Sequence, residues 1–213
     1  MKKFTNLEGA VIIGKMILAI QQNKQYLSDI DGLIGDGDHG INMNKGFTMC
    51  HGELEKNMGD MAYSAKVLSK ILIMKIGGSM GPLYGRMFRG FADELEGKEV
   101  IEINDMANAL KGMLTSVQAI SQAKPGDKTL IDTLSPAVEA FRKAAFEGKD
   151  FDEAFNEMKL AAITGRDSTK DMVAQLGRAS RLGERSRGVL DAGATSCCLL
   201  LVTLADTAKE IMN

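Results

Sequence analysis

Residues 27–40 (LSDIDGLIGDGDHG) place four carboxylates beside four glycines and one of the two histidines in the chain. Carboxylates that converge on one point repel each other unless a hard cation lies between them. Glycine permits tight turns and close approach of a ligand. The stretch therefore predicts a Mg²⁺-binding loop with Asp31, Asp36 and Asp38 as ligands, and with Asp29 as a neighbour that faces solvent.

Other interpretations of the same residues are weaker. Residues 35–40 formally match the dinucleotide fingerprint G-x-G-x-x-G, but no strand precedes them and their carboxylates would repel a bare pyrophosphate. An EF-hand counted from Asp36 would need a glutamate where the chain has Phe47. The remaining alternative is a simple Asp-Gly turn in which Asp38 caps the next helix. Three carboxylates within eight residues favour the metal.

Further polar residues have two interpretations each. His39 either contacts phosphate or only caps or packs. Ser79, in the sequence GGSMG, either bonds a phosphate or belongs to a flexible turn. A cluster of guanidinium groups suits a phosphate or a docked partner, although alone it also suits a solvated face or a nucleic-acid patch. Its members are Arg178, Arg181, Arg185 and Arg187.

These residues must be positioned by helices, because apolar residues recur every three or four positions and alternating patterns are nearly absent. Eight helices and no strands are predicted. The sixth either bends at Pro136 or begins there, and the seventh is expected to bend near Gly165 and continue to Leu176. The predicted helices cover about 6–25, 41–54, 61–76, 82–95, 104–120, 130–145, 150–176 and 192–211.

The connections between these helices are of two kinds. The first, third, fifth and seventh (27–40, 77–81, 121–129 and 177–193) are rich in Gly, Asp, Ser and Arg, whereas the others are ordinary charged turns. Helices joined by short loops tend to run antiparallel, so odd-numbered loops emerge together at one end. Each of them leads into a helix N-terminus, which favours anions and phosphate above all. We therefore expect an anion site at that end.

Composition excludes several classes of protein. The 213 residues suit one domain over 1–213, and a formal net charge of −2 argues against a nucleic-acid partner. Three cysteines, two of them adjacent in an apolar run, form neither a disulfide framework nor a zinc site and indicate a reducing compartment. No signal peptide or membrane span is apparent. A cytoplasmic protein is expected.

Four sequence blocks resemble the L subunit family of dihydroxyacetone kinase (DhaL). They are GDGDHGINMNKG (35–46), GGSMGPLYG (77–85), PGDKTLID (125–132) and GRASRLGERSRGVLDAGATS (177–196), in family order. The resemblance implies an all-α fold, an eight-helix antiparallel up-and-down barrel with ADP and two Mg²⁺ ions at one end. The family's metal ligands correspond to Asp31, Asp36 and Asp38.

The resemblance also implies a set of nucleotide contacts. Their positions here are His39, Gly40, Ile41, Asn42, Ser79, Met80, Ser121, Leu130, Arg178, Asp191, Ala192 and Gly193. Four of these depart from the family pattern, which has Ser at Met80, Pro at Ala192, Gly at Ser121 and Met at Leu130. The departures concern base and phosphate contacts and leave the three aspartates unchanged.

The family implies phosphoryl transfer without a protein nucleophile on this chain. A DhaK-like subunit holds the ketose, and a DhaM-like phosphohistidine subunit phosphorylates the bound ADP to ATP in place. A chain with only the L part favours this phosphotransferase-system branch. The alternatives are an L subunit that exchanges free ATP, and a non-catalytic regulator that binds a transcription factor. No nucleic-acid or membrane partner is expected.

Overall fold

The structure is a computed structural model that describes residues 2–213, and these residues form nine α-helices and one two-stranded sheet. The strands β1 (Phe4–Thr5) and β2 (Val100–Ile101) pair antiparallel, with Phe4 opposite Ile101. Two 3₁₀ segments lie at Thr169–Asp171 and Ala179–Ser186. The helices are α1 (Ala10–Gln22), α2 (Lys24–Ile34), α3 (His39–Leu54), α4 (Met61–Lys75), α5 (Met80–Leu95), α6 (Ile103–Gln118), α7 (Ile131–Phe146), α8 (Phe151–Ser168) and α9 (Ala192–Met212).

Eight of the helices close into a ring. Consecutive helices from α3 to α9 pack against each other, and α1 packs against both α3 and α9. The remaining helix, α2, lies against α3 and α9. The predicted all-α eight-helix barrel is therefore confirmed, with one additional helix, α2, that lies mostly within the stretch predicted as the first loop.

The helix starts that depend on local capping agree with the sequence. Asp60 accepts a hydrogen bond from Tyr63 N at 2.7 Å, and Asp150 and Glu153 form a reciprocal capping box. Asp191 accepts from Ala194 N at 2.7 Å. Such side chains satisfy backbone N–H groups that have no partner within the helix, so their positions can be inferred locally.

The N-terminal region differs from the prediction of one helix from about residue 6 to about residue 25. Thr5 and Glu8 do form the expected reciprocal hydrogen bonds, but they close a turn after β1, and α1 begins at Ala10. Asn23 then separates α1 from α2, and its side chain donates to the Ala19 carbonyl at 2.9 Å. Asn side chains compete in this way with the helical backbone. The prediction of no strands was also wrong, because it did not include the pairing of β1 with β2.

The predicted extension of the seventh helix to Leu176 is also wrong. Helix α8 ends at Ser168 and tightens into a 3₁₀ turn at Thr169–Asp171. The carbonyls of Thr169 and Met172 accept hydrogen bonds from the buried ammonium of Lys128. A distant side chain therefore ends the helical pattern here, and helical spacing alone does not reveal it.

The prediction left two possibilities at Pro136, and the structure has one helix, α7, that continues through it. Proline lacks the N–H that would bond the carbonyl four residues earlier, here that of Asp132. Gly165 of α8 lies so close to this carbonyl that any side chain at position 165 would collide with it. Helices α7 and α8 are consequently in close contact at the level of the fifth loop.

The core inside the ring is made of Leu, Ile, Met, Phe and Ala side chains from all the ring helices. Cys50, Cys197 and Cys198 are buried free thiols. Burial raises the pKa of Cys50 to about 12. Within residues 2–213, no helix combines the length and the apolar character needed to cross a bilayer.

Candidate functional site

The four odd-numbered loops line one cavity of about 510 Å³. Its walls come from the α2–α3 junction, the glycine loop before α5, the loop before α7, and the segment that leads into α9. The N-termini of α3, α5, α7 and α9 therefore open toward a common space. In residues 2–213, no side chain caps α3 from Asp38 or α5 from Ser79. These two ends retain backbone N–H groups that suit an anion.

The acidic trio Asp31, Asp36 and Asp38 lies on one side of the cavity. Each residue offers a carboxylate oxygen, and the three oxygens lie within 4.8 Å of one another. The expectation that all three belong to one loop is corrected, because Asp31 is on the last turn of α2, whereas Asp36 and Asp38 follow it. Leu27, Ile30 and Ile34 are buried on the inner face of α2. This helical spacing lies inside the stretch that was interpreted as loop.

The acidic trio suits a hard divalent cation. Mg²⁺ takes carboxylate oxygens and completes its shell with water and phosphate. Asp38 is at the N-cap position of α3 but makes no capping hydrogen bond, so its carboxylate is available within the described chain. Asp36 forms an ion pair with the Arg178 guanidinium, which supplies positive charge at the trio. The residues present therefore fit a magnesium ion.

Asp29 lies outside this cluster. It is exposed on α2, as expected, and accepts a hydrogen bond from Gln25 Nε2 at 2.7 Å. Its separation from the trio follows from the helix, since residues two apart on a helix point to different faces. Asp29 is therefore a neighbour without a place in the acidic trio.

His39 is held by a chain of polar groups that reaches across the barrel. Its Nε2 lies 2.8 Å from Ser196 Oγ, which lies 2.6 Å from Tyr84 Oη. Tyr84 also donates to the Gly193 carbonyl at 2.8 Å. Burial lowers the pKa of His39 to about 4, against a smaller opposing effect of the Asp31 charge. The imidazole is consequently neutral at pH 7.

The loops around the cavity are held from behind by groups that are bonded within the protein. The buried carboxylate of Asp132 accepts from Gly126 N at 2.5 Å and from Thr129 N at 2.6 Å, which fixes the loop before α7. Burial raises the pKa of Asp191 to about 6, although its hydrogen bond from Ala194 N acts in the other direction. The seventh loop is tied to the 3₁₀ turn after α8, because Asp191 N donates to Thr169 Oγ at 3.0 Å.

Comparison with known proteins identifies the family. The model of the DAK2 domain matches residues 33–206, which include the acidic trio's Asp36 and Asp38 and all four cavity walls. The chain belongs to the DAK2 domain family. Curated members include the ADP-binding subunit DhaL of PEP-dependent dihydroxyacetone kinase 2 from Listeria innocua, which is 33% identical and is matched over 93% of both chains.

Other DhaL subunits are equally similar. The DhaL subunit of the PEP-dependent dihydroxyacetone kinase of Escherichia coli is 34% identical over 87% of this chain and 89% of that protein. Among solved structures, the dihydroxyacetone kinase of C. freundii aligns with a TM-score of 0.66 at 22% identity. The alignment covers 95% of this chain and 35% of that kinase, so the chain spans about a third of the solved protein, and the likeness shows the fold.

Most positions that the DhaL resemblance singled out border the cavity. They are His39, Asn42, Ser79, Met80, Ser121, Leu130, Arg178, Asp191, Ala192 and Gly193. Gly40 and Ile41 do not: Gly40 is buried against Lys24 and Ser28 of α2, and Ile41 is 52% exposed on the outer side of α3. The structure thus brings ten of these positions together and places two elsewhere.

Sequence reasoning missed three polar residues at this DAK2-family site. Tyr84 and Ser196 hold His39, and Lys128 bonds to three carbonyls near the seventh loop. All three lie inside blocks that carried the resemblance. Their side chains bond across the barrel, however, and a linear pattern does not identify partners 41 to 157 residues apart.

Proposed function

We propose that this chain is the ADP- and Mg²⁺-binding subunit of a ketose kinase. It relays a phosphoryl group from a DhaM-like phosphohistidine donor, through bound ADP, to dihydroxyacetone or a related ketose held by a DhaK-like subunit. The observation that carries the proposal is the acidic trio facing several helix N-termini across one cavity. It is supported by 33–35% identity to curated DhaL ADP-binding subunits.

Asp31, Asp36 and Asp38 would hold two Mg²⁺ ions in this proposal. Bound metal neutralises phosphate charge and keeps the reacting oxygens in line. In the absence of metal, three carboxylates within 4.8 Å repel one another, which favours cation binding before or with the nucleotide. Arg178 already lies at Asp36, where its guanidinium is placed to take up phosphate charge.

The phosphates are proposed to lie near the N-termini of α3 and α5, beside His39, Asn42, Ser79 and Met80. Backbone N–H groups at these ends are the anion donors, and Ser79 adds a hydroxyl. The nucleoside part is assigned to the wall that contains Ser121 and Leu130, with Asp191, Ala192 and Gly193 behind it. Leu130 is buried and supplies apolar surface for a base.

Catalysis then depends on position and charge, because phosphoryl transfer requires no protein nucleophile on this chain. His39 suits a positioning role, since burial lowers its pKa to about 4 and one ring nitrogen is bonded to Ser196. In this proposal the chain works with DhaK-like and DhaM-like partners. It forms a single domain over 1–213 and is located in the cytoplasm. The buried, free cysteines suit a reducing compartment.

The ketose is open between dihydroxyacetone and a longer sugar. L-erythrulose kinase of Pectobacterium atrosepticum is 29% identical over 90% of this chain, which covers 32% of that enzyme. This relative favours a four-carbon ketose as the alternative substrate. The second candidate function is an ATP-exchanging kinase subunit, whose turnover would follow added ATP without a phosphohistidine protein.

The first experiment is to denature the purified protein and assay the released nucleotide. We expect ADP and Mg²⁺ in stoichiometric amounts, and their loss when Asp36 and Asp38 are both changed to Asn. Asp29→Asn is the control, because it removes a carboxylate charge from α2 outside the acidic trio. A wild-type protein that purifies empty and ignores added Mg-ADP contradicts the proposal.

Reconstitution with cognate DhaK-like and DhaM-like subunits separates the remaining candidates. Phosphate from the donor should reach the ketose while labelled ADP stays on this chain. Exchange of the label with free ATP supports the ATP-using alternative. Nucleotide binding without any sugar phosphate supports the regulator.

A further inference from the structure

Lys128 is a buried cation in the loop before α7. Its residue is only 2% exposed, and its ammonium donates to three backbone carbonyls. The acceptors are the carbonyls of Thr169 at 2.7 Å, Met172 at 3.3 Å and Val189 at 2.5 Å. Since an ammonium has three protons, all its donors are used inside the protein. Lys128 is therefore not available as a phosphate ligand.

The three acceptors mark the two ends of one loop. Thr169 and Met172 precede residues 173–188, and Val189 follows them, so a single ammonium joins the entry of the loop to its exit. We call these two adjoining ends the neck of the loop. Hydrogen bonds between uncharged groups also close it: Gly188 N donates to the Lys170 carbonyl at 2.7 Å, and Ala174 N donates to Ser186 Oγ at 2.9 Å. A segment with adjacent ends packed on itself is an Ω-loop.

The backbone of Lys128 gives an independent indication of this role. Its φ is +60°, and it is the one non-glycine residue with positive φ in the described chain. An L side chain is disfavoured there by about 1 kcal/mol or more. Such strain persists only when the surrounding structure requires that side chain. Glycine would relieve the strain, but it could not reach the three carbonyls.

The loop at residues 173–188 carries charge to the cavity. Arg178 pairs with Asp36 of the acidic trio, and Leu176, Gly177, Arg178 and Ala179 line the cavity. The Arg178 side chain is exposed and lies between the two ends of the loop, so its position depends on how those ends are held. Four arginines in one loop would otherwise repel each other and favour an open arrangement.

We propose that Lys128 is a positioning residue that closes the 173–188 loop, and thereby holds Arg178 over the nucleotide and metal site. The expected effect on nucleotide binding rests on the proposed function, whereas the closure of the loop by Lys128 does not. The ammonium stabilises the closed neck, the closed neck keeps Arg178 beside the acidic trio, and the loop forms one wall of the nucleotide cavity. Loss of the ammonium opens the loop without removing any ligand of the nucleotide.

The test compares Lys128→Met, Lys128→Gly and Lys128→Arg with the wild type at a temperature well below unfolding. The first readout is cleavage by an arginine-specific protease, with the sites located by mass spectrometry. We expect faster cleavage among Arg178, Arg181, Arg185 and Arg187 in the Met and Gly variants, and partial rescue in the Arg variant. Lys124→Met is the matched control, because Lys124 is exposed in the same loop.

The second readout is affinity for Mg-ADP by calorimetry. Loss of charge-assisted bonds at the neck predicts affinity about tenfold to a hundredfold weaker for Lys128→Met. A merely structural lysine would lower the melting temperature and leave both readouts unchanged below the transition. If Lys128→Gly keeps the loop closed and the affinity normal, only the turn conformation matters, and the proposal is overturned.

The outcomes also separate this inference from the proposed function. A wild type that binds no nucleotide contradicts the function, while the protease readout still reports on the neck. Where Lys128→Met does not fold, Ser186→Ala weakens the same neck without a charge change, and we expect a smaller increase in cleavage at the same arginines. Unchanged cleavage in Ser186→Ala would then overturn the proposal.

Discussion

The acidic trio, which lines the cavity, differs from Asp132, which lies behind the loop before α7, in the bonds that its carboxylates accept. Asp132 accepts two short backbone hydrogen bonds and is 4% exposed. Within residues 2–213, the acidic trio has only a 3.3 Å bond from His39 N to Asp31 and the ion pair of Asp36 with Arg178. A carboxylate whose oxygens accept hydrogen bonds within the protein positions a loop. A carboxylate whose oxygens remain free to accept or coordinate suits a ligand. Residue type alone does not distinguish the two roles.

This contrast predicts different effects on stability when a carboxylate is removed from Asp132 or from the acidic trio. Asp132→Ala leaves the N–H groups of Gly126 and Thr129 without their acceptor, and should lower the free energy of unfolding by about 3 kcal/mol. Asp38→Ala removes a repelled charge and should leave the stability of the metal-free protein unchanged or slightly raised. Urea unfolding in EDTA measures both values.

Asp132→Asn is the control for this comparison, because it keeps one acceptor oxygen and should lose less stability than Ala. Equal losses for Asp132→Ala and Asp38→Ala would mean that both carboxylates are structural. The distinction between Asp132 and the acidic trio would then be abandoned.

Addition of Mg²⁺ should stabilise the protein through the acidic trio only. A ligand present at a hundred times its dissociation constant adds about 2.7 kcal/mol to the unfolding free energy. The increase should vanish in Asp38→Asn and persist in Asp29→Asn, whose carboxylate is bonded by Gln25 outside the trio. Thermal shifts with and without Mg²⁺ measure this. An equal response in both variants would place the metal elsewhere.

How well the sequence predicts an element of the fold depends on how far apart in the chain the residues that determine it lie. The helix starts at Asp60, Asp150 and Asp191 follow from side chains within three residues, and the meeting of the odd-numbered loops follows from their order. The end of α8 does not follow, because Lys128 sets it from 41 residues away.

The α2 region shows a second reason for error. A dense run of Asp and Gly suggested a loop over residues 27–40, but burial of Leu27 and Ile30 on one face favours helix as far as Ile34. Tertiary packing overrides local composition in this case. The metal ligands were nevertheless brought together, since Asp31 on the final turn of α2 still points at the loop that follows.

The smallest expected loss of stability concerns the hydrogen bonds that link the start of α9 to His39. Tyr84 Oη bonds to the Gly193 carbonyl at the start of α9 and to Ser196 Oγ, which in turn holds His39 beside the acidic trio. Tyr84→Phe removes one buried hydroxyl and keeps the ring, so the unfolding free energy should fall by about 1 kcal/mol. The Mg²⁺ stabilisation should remain, because none of the three carboxylates bonds to Tyr84.

Urea unfolding with and without Mg²⁺ measures both quantities, and Tyr63→Phe on the exposed side of α4 is the control. If Tyr84→Phe lowered the unfolding free energy this little but abolished the stabilisation by Mg²⁺, the hydrogen bonds of Tyr84 and the acidic trio would be coupled through His39 rather than independent.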